Sequence, residues 1–440
     1  MDKIKKLNII TGIVFFGFII AIIYHYILGL VFHLGYPFNT FLWNPTAKFS
    51  DFTCIYQIFT KGDFNPYVQS NYLAAWFFPF GMLILYFFRL FPLFLSFILY
   101  YLIFIAYYLF YNYKNIKQNL TSKQNFNIFI SFGVISLLSY PFLIEIDRGN
   151  IEMYVFLFTS LFVSFFIKEK YKISALMLAA AISIKLYPIV FLPLFIVKKR
   201  FKELFYCIGF VVLLTGASLF LMKESFLTNI IYCIKQMHMA INCAAINNNG
   251  LGYGVSLFSV VKFIIFWIND CFKLTFAQLN NSFINLPYFI YVFDPSLLNI
   301  VNKALKIFSF FSLIAGFCVT GYIIFVKQEL WKKVFLLLVC MLFLTPVSAD
   351  YKLIYLLIPM FLFINSESKL KTDWIYAVLF GLMLIPKNYI QFFALDYNHF
   401  NISVVLNPLI LFVMSVIIVS EDFCLNKKNK KIPDLQSENI

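Results

Sequence analysis

Charged residues are scarce in this chain. Only 12% of its 440 residues are Asp, Glu, Lys or Arg, against about 25% in a soluble globular domain. Hydrophobic residues make up 62%. A soluble core of that composition would leave large apolar patches in water, so lipid is the solvent that fits. Acidic residues are scarcer than basic ones, 20 against 35, for a net charge of +15. The basic excess lies in short loops and tails beside apolar runs, which is a topology signal and not a nucleic-acid surface. Histidine is nearly missing, and His25, His33, His238 and His399 share no spacing that would hold a metal. The eight cysteines include no CxxC pair, which removes the common metal and redox motifs. Cys54, Cys233, Cys243 and Cys271 fall in loops expected outside, and no spacing selects a disulfide among them. The chain has no internal repeat of the kind many transporters carry. No small-residue cleavage site follows Leu7–Phe32, so that run reads as an uncleaved first span and not a signal peptide.

What is there is a succession of apolar segments. The first span is expected near 8–31, after Lys3, Lys5 and Lys6, which place the N-terminus in the cytoplasm. Residues 32–72 then lie outside. Segment 74–91 reads as re-entrant or interfacial, because Lys114, Lys117 and Lys123 require a single crossing, 93–112, before them. Spans are expected at 126–144 and 151–167. Residues 173–197 are flanked by Lys172 and by Lys198, Lys199, Arg200 and Lys202, and this predicts a hairpin with its tip at Lys185–Pro188. The rival is a single crossing kinked at Pro188. Span 203–222 precedes an external region, 223–303, and five spans follow near 304–326, 334–345, 353–364, 374–391 and 402–420. The expectation is an all-α, polytopic membrane helical bundle with about 12 crossings plus re-entrant or interfacial helices. Residues 1–420 form one membrane domain, and 421–440 a basic, disordered cytoplasmic tail.

Ionisable groups near a bilayer are costly and call for explanation. On this topology Asp51, Asp147, Arg148, Asn150, Glu152, Lys185, Tyr187, Asp350 and Lys352 all collect at the outer side. Cations suit a phosphate, and a carboxylate suits deprotonation of a hydroxyl. Plainer roles compete. Arg148 with Asp147, Glu145 or Glu152 reads as a structural salt bridge. Lys185 reads as a snorkelling side chain. Asp51 after Ser50 reads as a helix cap, and Asp63 beside Asn65-Pro66 as a turn.

These same residues carry a resemblance. Asp51-Phe52 followed by Gly62-Asp63-Phe64-Asn65-Pro66-Tyr67 resembles the first-loop pattern of glycosyltransferases that use polyprenol-phosphate sugars. Arg148-Gly149-Asn150-Ile151-Glu152 is similar to the "RGN-x-E" of the glycosylphosphatidylinositol mannosyltransferase I family. It also stands where the polyprenol-phosphate-mannose-dependent alpha-1,2-mannosyltransferases, glycosyltransferase family 87, have "GQ-x-N". Ala181–Pro188 resembles "A-x-x-x-K-x-(Y/T)-P" in both, and Thr345-Pro346-Val347-Ser348 resembles the family 87 "(S/T)-P-x-S-W" with Ala349 in place of Trp.

The resemblance implies a fold of the GT-C type with its active site at the outer membrane face. It implies a polyprenyl-phosphate sugar donor, a glycan or glycolipid acceptor, and Asp51 as the catalytic base. Arg148, Asn150, Glu152, Lys185, Tyr187, Asp350 and Lys352 are then the substrate-binding candidates. No cofactor is certain; a divalent metal stays open, although Asp51-Phe52-Thr53 lacks the D-x-D that would argue for one. The expected activity moves a mannose-like hexose in the plasma membrane, with both termini cytoplasmic and the bilayer as a partner. Three rivals differ in what they require. A lipid-linked oligosaccharide flippase needs charges along an internal path. An O-antigen polymerase or ligase concentrates its polar residues in a late loop such as 223–303. A structural envelope subunit tolerates substitution of its external charges.

Overall fold

Long apolar helices set the frame, and shorter ones fill it. The computed structural model describes residues 1–60, 65–67, 77–118, 124–241, 245–246, 254–269, 272–278, 285–291, 296–367, 370–394 and 399–430. The first half contains α1 (Lys3–Tyr26), α2 (Ser50–Thr60), α3 (Pro79–Arg89), α4 (Leu93–Lys117), α5 (Asn125–Leu137), α6 (Tyr140–Arg148), α7 (Glu152–Ile167), α8 (Tyr171–Ile184) and α9 (Pro193–Val197). The second half contains α10 (Phe201–Phe220), α11 (Phe226–Ile241), α12 (Leu257–Ile268), α13 (Leu297–Phe325), α14 (Leu330–Phe343), α15 (Leu357–Ile364), α16 (Asp373–Met383) and α17 (Ser403–Lys430). Among the described residues, five helices are long and apolar enough to cross a bilayer: Lys3–Val31, Leu93–Lys117, Phe201–Phe220, Leu297–Phe325 and Ser403–Cys424. A sixth exists if α5 and α6, bent by 43° at their junction, count as one.

About twelve crossings were expected; by length and composition five or six helices among the described residues qualify. A crossing takes about 20 residues of helix. α7, α8, α14 and α16 have 16, 14, 14 and 11. In α14 the apolar side chains pack against protein: every residue from Trp331 to Phe343 is buried. The expected re-entrant segment is α3, 11 residues and about 16 Å long. Its N-terminal side is pinned by the Phe78 N–H to the Ile184 carbonyl at 3.1 Å.

A further departure is a four-stranded sheet at one end of the bundle. β1 (Phe272–Gln278) and β2 (Asn285–Tyr291) pair antiparallel, β2 runs parallel to β3 (Gln391–Ala394), and β3 pairs antiparallel with β4 (His399–Asn401). Period-two alternation over such short stretches is hidden in so apolar a sequence.

Polar contacts sort the helix ends into two sets. At one end Lys3 donates to the Asn115 carbonyl and to Asn365 Oδ1, at 3.4 and 2.6 Å. Lys6 pairs with Asp373 at 3.4 Å, and Lys332 pairs with Glu421 and Asp422 at 2.8 and 2.6 Å. The α17 helix therefore carries ion-paired residues beyond position 420. Arg200 lies over the Tyr171 ring, 4.5 Å from its centre. The chain thus doubles back between them, and both basic flanks of 173–197 share this end. The opposite end holds the α6–α7 junction, the C-terminus of α8 and the short 3-10 helix Asp350–Leu356.

Candidate active site

The site is built at the α6–α7 junction, and Gly149 makes the junction possible. It caps α6 in the left-handed region, at φ 67°. A Cβ there would also collide with the Tyr101 hydroxyl and crowd Phe52. Only glycine meets both demands. The tight turn aims Arg148 and Asn150 at the first turn of α2, where Asp51 stands. Arg148 Nη2 pairs with Asp51 Oδ1, and Asn150 Nδ2 donates to Asp51 Oδ2 at 2.7 Å. The Arg148 guanidinium also lies 4.3 Å from the centre of the Trp43 ring. Phe49, two residues before Asp51, takes a positive φ of 57°, and its N–H donates to the Asp147 carbonyl at 2.7 Å. The side chains of Arg148 and Asp51 stay 13% and 12% exposed, so the carboxylate keeps an opening.

A second cluster adjoins the first through Asn150, whose Oδ1 accepts from the Glu152 N–H at 3.1 Å. Glu152 is fully buried at the start of α7. One oxygen accepts from the Tyr187 hydroxyl and from the Tyr355 hydroxyl, the latter at 2.5 Å. The other lies 3.8 Å from Lys185 Nζ. Lys185 leaves α8 in extended conformation, φ −144° and ψ 131°, and its ammonium sits 4.7 Å from the Phe77 ring centre. The Lys352 ammonium is 4.1 Å from the Tyr187 ring centre. Burial pulls the Lys352 pKa down to about 8, against the pull of the Glu152 carboxylate. Tyr351 ties the clusters together: burial and then the Asp51, Glu152 and Glu145 carboxylates push its hydroxyl upward.

Beside the two ammonium groups opens a cavity of about 370 Å³. Phe77, Phe78, Ile189, Val190, Leu344, Pro346 and Val347 give it apolar walls, and Lys185 and Lys352 are the charged groups among its lining residues. The loop Thr345–Ala349 forms one side. It is braced by the Ser256 hydroxyl on the Thr345 carbonyl, 2.6 Å, and by the Val255 N–H on the Ser348 carbonyl, 2.7 Å. A pocket of this kind suits a ligand with a hydrocarbon body and an anionic head.

Of the residues singled out from sequence, Asp51, Arg148 and Asn150 meet in the first cluster, and Glu152, Lys185, Tyr187 and Lys352 in the second. Asp350 stands apart. It is buried and accepts from Tyr140 at 2.9 Å, Ser403 at 3.2 Å and Asn407 at 3.2 Å, joining α6 to α17. Burial raises its carboxyl above the usual carboxylate range and lowers the Lys387 ammonium nearby. Arg148 takes Asp51 and not the near neighbours Asp147, Glu145 or Glu152 as its ion-pair partner. Asp147 accepts instead from the Trp43 N–H at 3.1 Å. Glu145 accepts from the Met153 N–H at 3.0 Å and leaves its second oxygen without a hydrogen-bond partner.

Trp43, Phe77, Tyr351 and Tyr355 were not foreseen. Tyr355 lies one helical turn from Lys352, a spacing that could have flagged it. Asp63 lies outside the described residues. Among the described residues no cluster of His, Cys, Asp and Glu is arranged to hold a metal, and Cys54 and Cys233 are free thiols. Cys243 and Cys271 lie outside the described residues.

Residues 78–242 match the model of glycosyltransferase family 87. That stretch includes Arg148, Asn150, Glu152, Lys185 and Tyr187, and it supports a transferase. No curated protein and no solved structure matches the chain.

Proposed function

We propose that this chain is a membrane glycosyltransferase that takes a hexose, mannose-like, from a polyprenyl-phosphate donor. It passes the sugar to a lipid-linked or envelope glycan on the outer face of the plasma membrane. The single observation that carries the reading is the pairing of two ammonium groups, Lys185 and Lys352, with one apolar cavity beside a carboxylate cluster. A polyprenyl phosphate is hydrocarbon ending in an anion, and a nucleotide sugar would need no such wall of Phe, Ile, Val and Leu.

The chemistry follows from the residues. The acceptor hydroxyl attacks the anomeric carbon, and its proton passes to the Asp51 carboxylate. The bond from the anomeric carbon to the phosphate oxygen breaks, and polyprenyl phosphate departs with the electron pair. Lys185 and Lys352 face the charge that grows on that phosphate, in a pocket whose apolar walls strengthen the interaction. Arg148 and Asn150 hold the Asp51 carboxylate in place. Their bonds to it must loosen or be shared when the acceptor binds.

The basic loops support the orientation in this reading: Lys3, Lys114, Lys172, Lys198, Arg200 and Lys332 stand at the end away from the site, and cytoplasmic loops are the ones enriched in Lys and Arg. Purified protein offered radiolabelled polyprenyl-phosphate mannose in detergent should release polyprenyl phosphate and label an acceptor glycan. Lys185→Ala and Lys352→Ala should each weaken donor binding about tenfold or more. Donor affinity that ignores both substitutions would overturn the assignment.

A further inference from the structure

A second cavity, of about 410 Å³, opens beside the last turns of the first span. Among the described residues none of its lining groups is charged, which sets it apart from the pocket of Lys185 and Lys352. Its polar lining comes from His25, Asn39 and Thr40, and Ile22, Tyr26 and Leu30 form an apolar edge that faces outward. The helix changes to a π turn at Ile27–Val31, a distortion frequent at functional sites. Gly29 in that turn lets the chain at Asn39 approach so closely that an added Cβ would stand 2.8 Å from Asn39 Cβ.

His25 gives the cavity its chemistry. The ring is 3% exposed. Nδ1 lies 2.6 Å from the Phe38 carbonyl oxygen. A carbonyl only accepts, so Nδ1 carries the proton, and in the neutral ring Nε2 carries a lone pair. That buried Nε2 has no hydrogen-bond partner. A buried acceptor left empty costs about 1–3 kcal/mol, and a ligand hydroxyl would relieve it. The chain also links the cavity wall to the catalytic cluster. Leu42 lines it, and the next residue, Trp43, carries the Arg148 guanidinium that pairs with Asp51.

We propose that this cavity is the acceptor subsite. It binds an uncharged, hydroxyl-rich sugar ring of a lipid-anchored glycan, with a hydroxyl donating to His25 Nε2 and the alkyl anchor along Ile22, Tyr26 and Leu30. Among the described lining residues there is no cation to pair with an anionic headgroup, so an uncharged ligand is the better fit. The proposal rests on the glycosyltransferase reading for the word acceptor, but its binding chemistry is separable from it.

The test uses the full-length protein in nanodiscs, with dodecyl mannoside, dodecanol and dodecyl phosphate as probes and calorimetry as the readout. Dodecyl mannoside should bind in preference to dodecanol. His25→Phe should weaken it about tenfold and leave polyprenyl-phosphate binding unchanged. His25→Gln should recover part of the loss. Leu30→Trp, which narrows the mouth without touching His25, should weaken the same probe. Equal binding of dodecanol and dodecyl mannoside makes the cavity a lipid groove and overturns the proposal, as does mannoside affinity indifferent to both His25→Phe and Leu30→Trp. If wild type fails to bind polyprenyl phosphate at all, the donor reading falls, and the mannoside result still decides this subsite.

Discussion

Glu152 Oε1 lies 3.8 Å from Lys185 Nζ, close enough to pair the charges and too far to hydrogen-bond them. The ammonium therefore keeps its donors for a ligand while its position is fixed. The other Glu152 oxygen holds the hydroxyls of Tyr187 and Tyr355, and the Tyr187 ring in turn carries the Lys352 ammonium. One carboxylate thus organises both cations of the proposed donor pocket.

Lys352 gives that pocket a pH signature. Burial lowers it from 10.5 to about 8. The sign runs two ways. Between about pH 8 and 10.5 the folded chain binds fewer protons at this group than the unfolded chain, so its contribution to stability improves as pH rises. Phosphate recognition needs the ammonium, so kcat/KM for the donor should fall as pH rises through about 8, because that ratio reports the free enzyme. A rate profile and a thermal melt over pH 7–10 should slope in opposite directions. A donor profile flat across this range would remove Lys352 from the phosphate.

Glu152→Gln should move that profile. The Glu152 charge raises Lys352 against the effect of burial, and its loss leaves burial unopposed. The Gln oxygen can still accept from Tyr187 and Tyr355, so the fold should survive. The basic limb of donor kcat/KM should shift to lower pH by about one unit, equivalent to about 1.4 kcal/mol. An unshifted limb with a lower kcat would give Glu152 a different task.

Asp51→Asn should remove transfer and spare the donor. A general base contributes about 10²–10⁴ in rate, and that loss should appear in kcat. The amide keeps the shape beside Asn150 but leaves the Arg148 charge without its partner, although the Trp43 face still covers it. Lysates are a poor assay here. Purified protein, with polyprenyl-phosphate binding measured alongside turnover, separates the two effects. Retained turnover at full donor affinity would assign the proton to another group.

Gly149→Ala should destabilise the whole α6–α7 junction. A non-glycine residue at φ 67° costs on the order of 1–3 kcal/mol. The contact with the Tyr101 hydroxyl adds to that, because Tyr101 is itself held by the Ile146 carbonyl at 3.0 Å. The expected result is a lower melting temperature together with lost turnover, since Arg148 and Asn150 flank the glycine. Unchanged stability would show that the junction adapts.

Much of this was legible in the chain, for definable reasons. The long spans were, because lipid imposes a length and a composition that sequence displays directly. Lys185 and Tyr187 at the tip of a turn followed from the basic residues flanking 173–197. The expected twelve crossings exceed the five or six described helices that qualify by length and composition. A short apolar helix such as α14 looks the same in sequence whether its neighbours are lipid or protein, and here they are protein. The Asp51–Arg148 pair spans 97 residues, whereas sequence reasoning favours near neighbours such as Asp147. Asp350 illustrates the converse. A carboxylate beside Lys352 suggested the site, but its acceptors are filled by Tyr140, Ser403 and Asn407, none of which is adjacent in sequence.

The orientation of the two ends can be tested without any substrate. Thr46 is exposed at the end that carries Asp51, and Cys424 is exposed near the end of α17, beside the Lys332 ion pairs. On the proposed orientation Cys424 lies on the cytoplasmic side. In a background with the remaining cysteines replaced by serine, Thr46→Cys should react with a membrane-impermeant maleimide on intact cells. Cys424 should react only after permeabilisation. The opposite pattern would put the Asp51 cluster in the cytoplasm, where nucleotide sugars are the common donors, and the polyprenyl-phosphate assignment would lose its topological support. Labelling of both sites from one side would mean that the contacts joining Lys3 to Asn115 and Lys332 to Glu421 do not define a single membrane face.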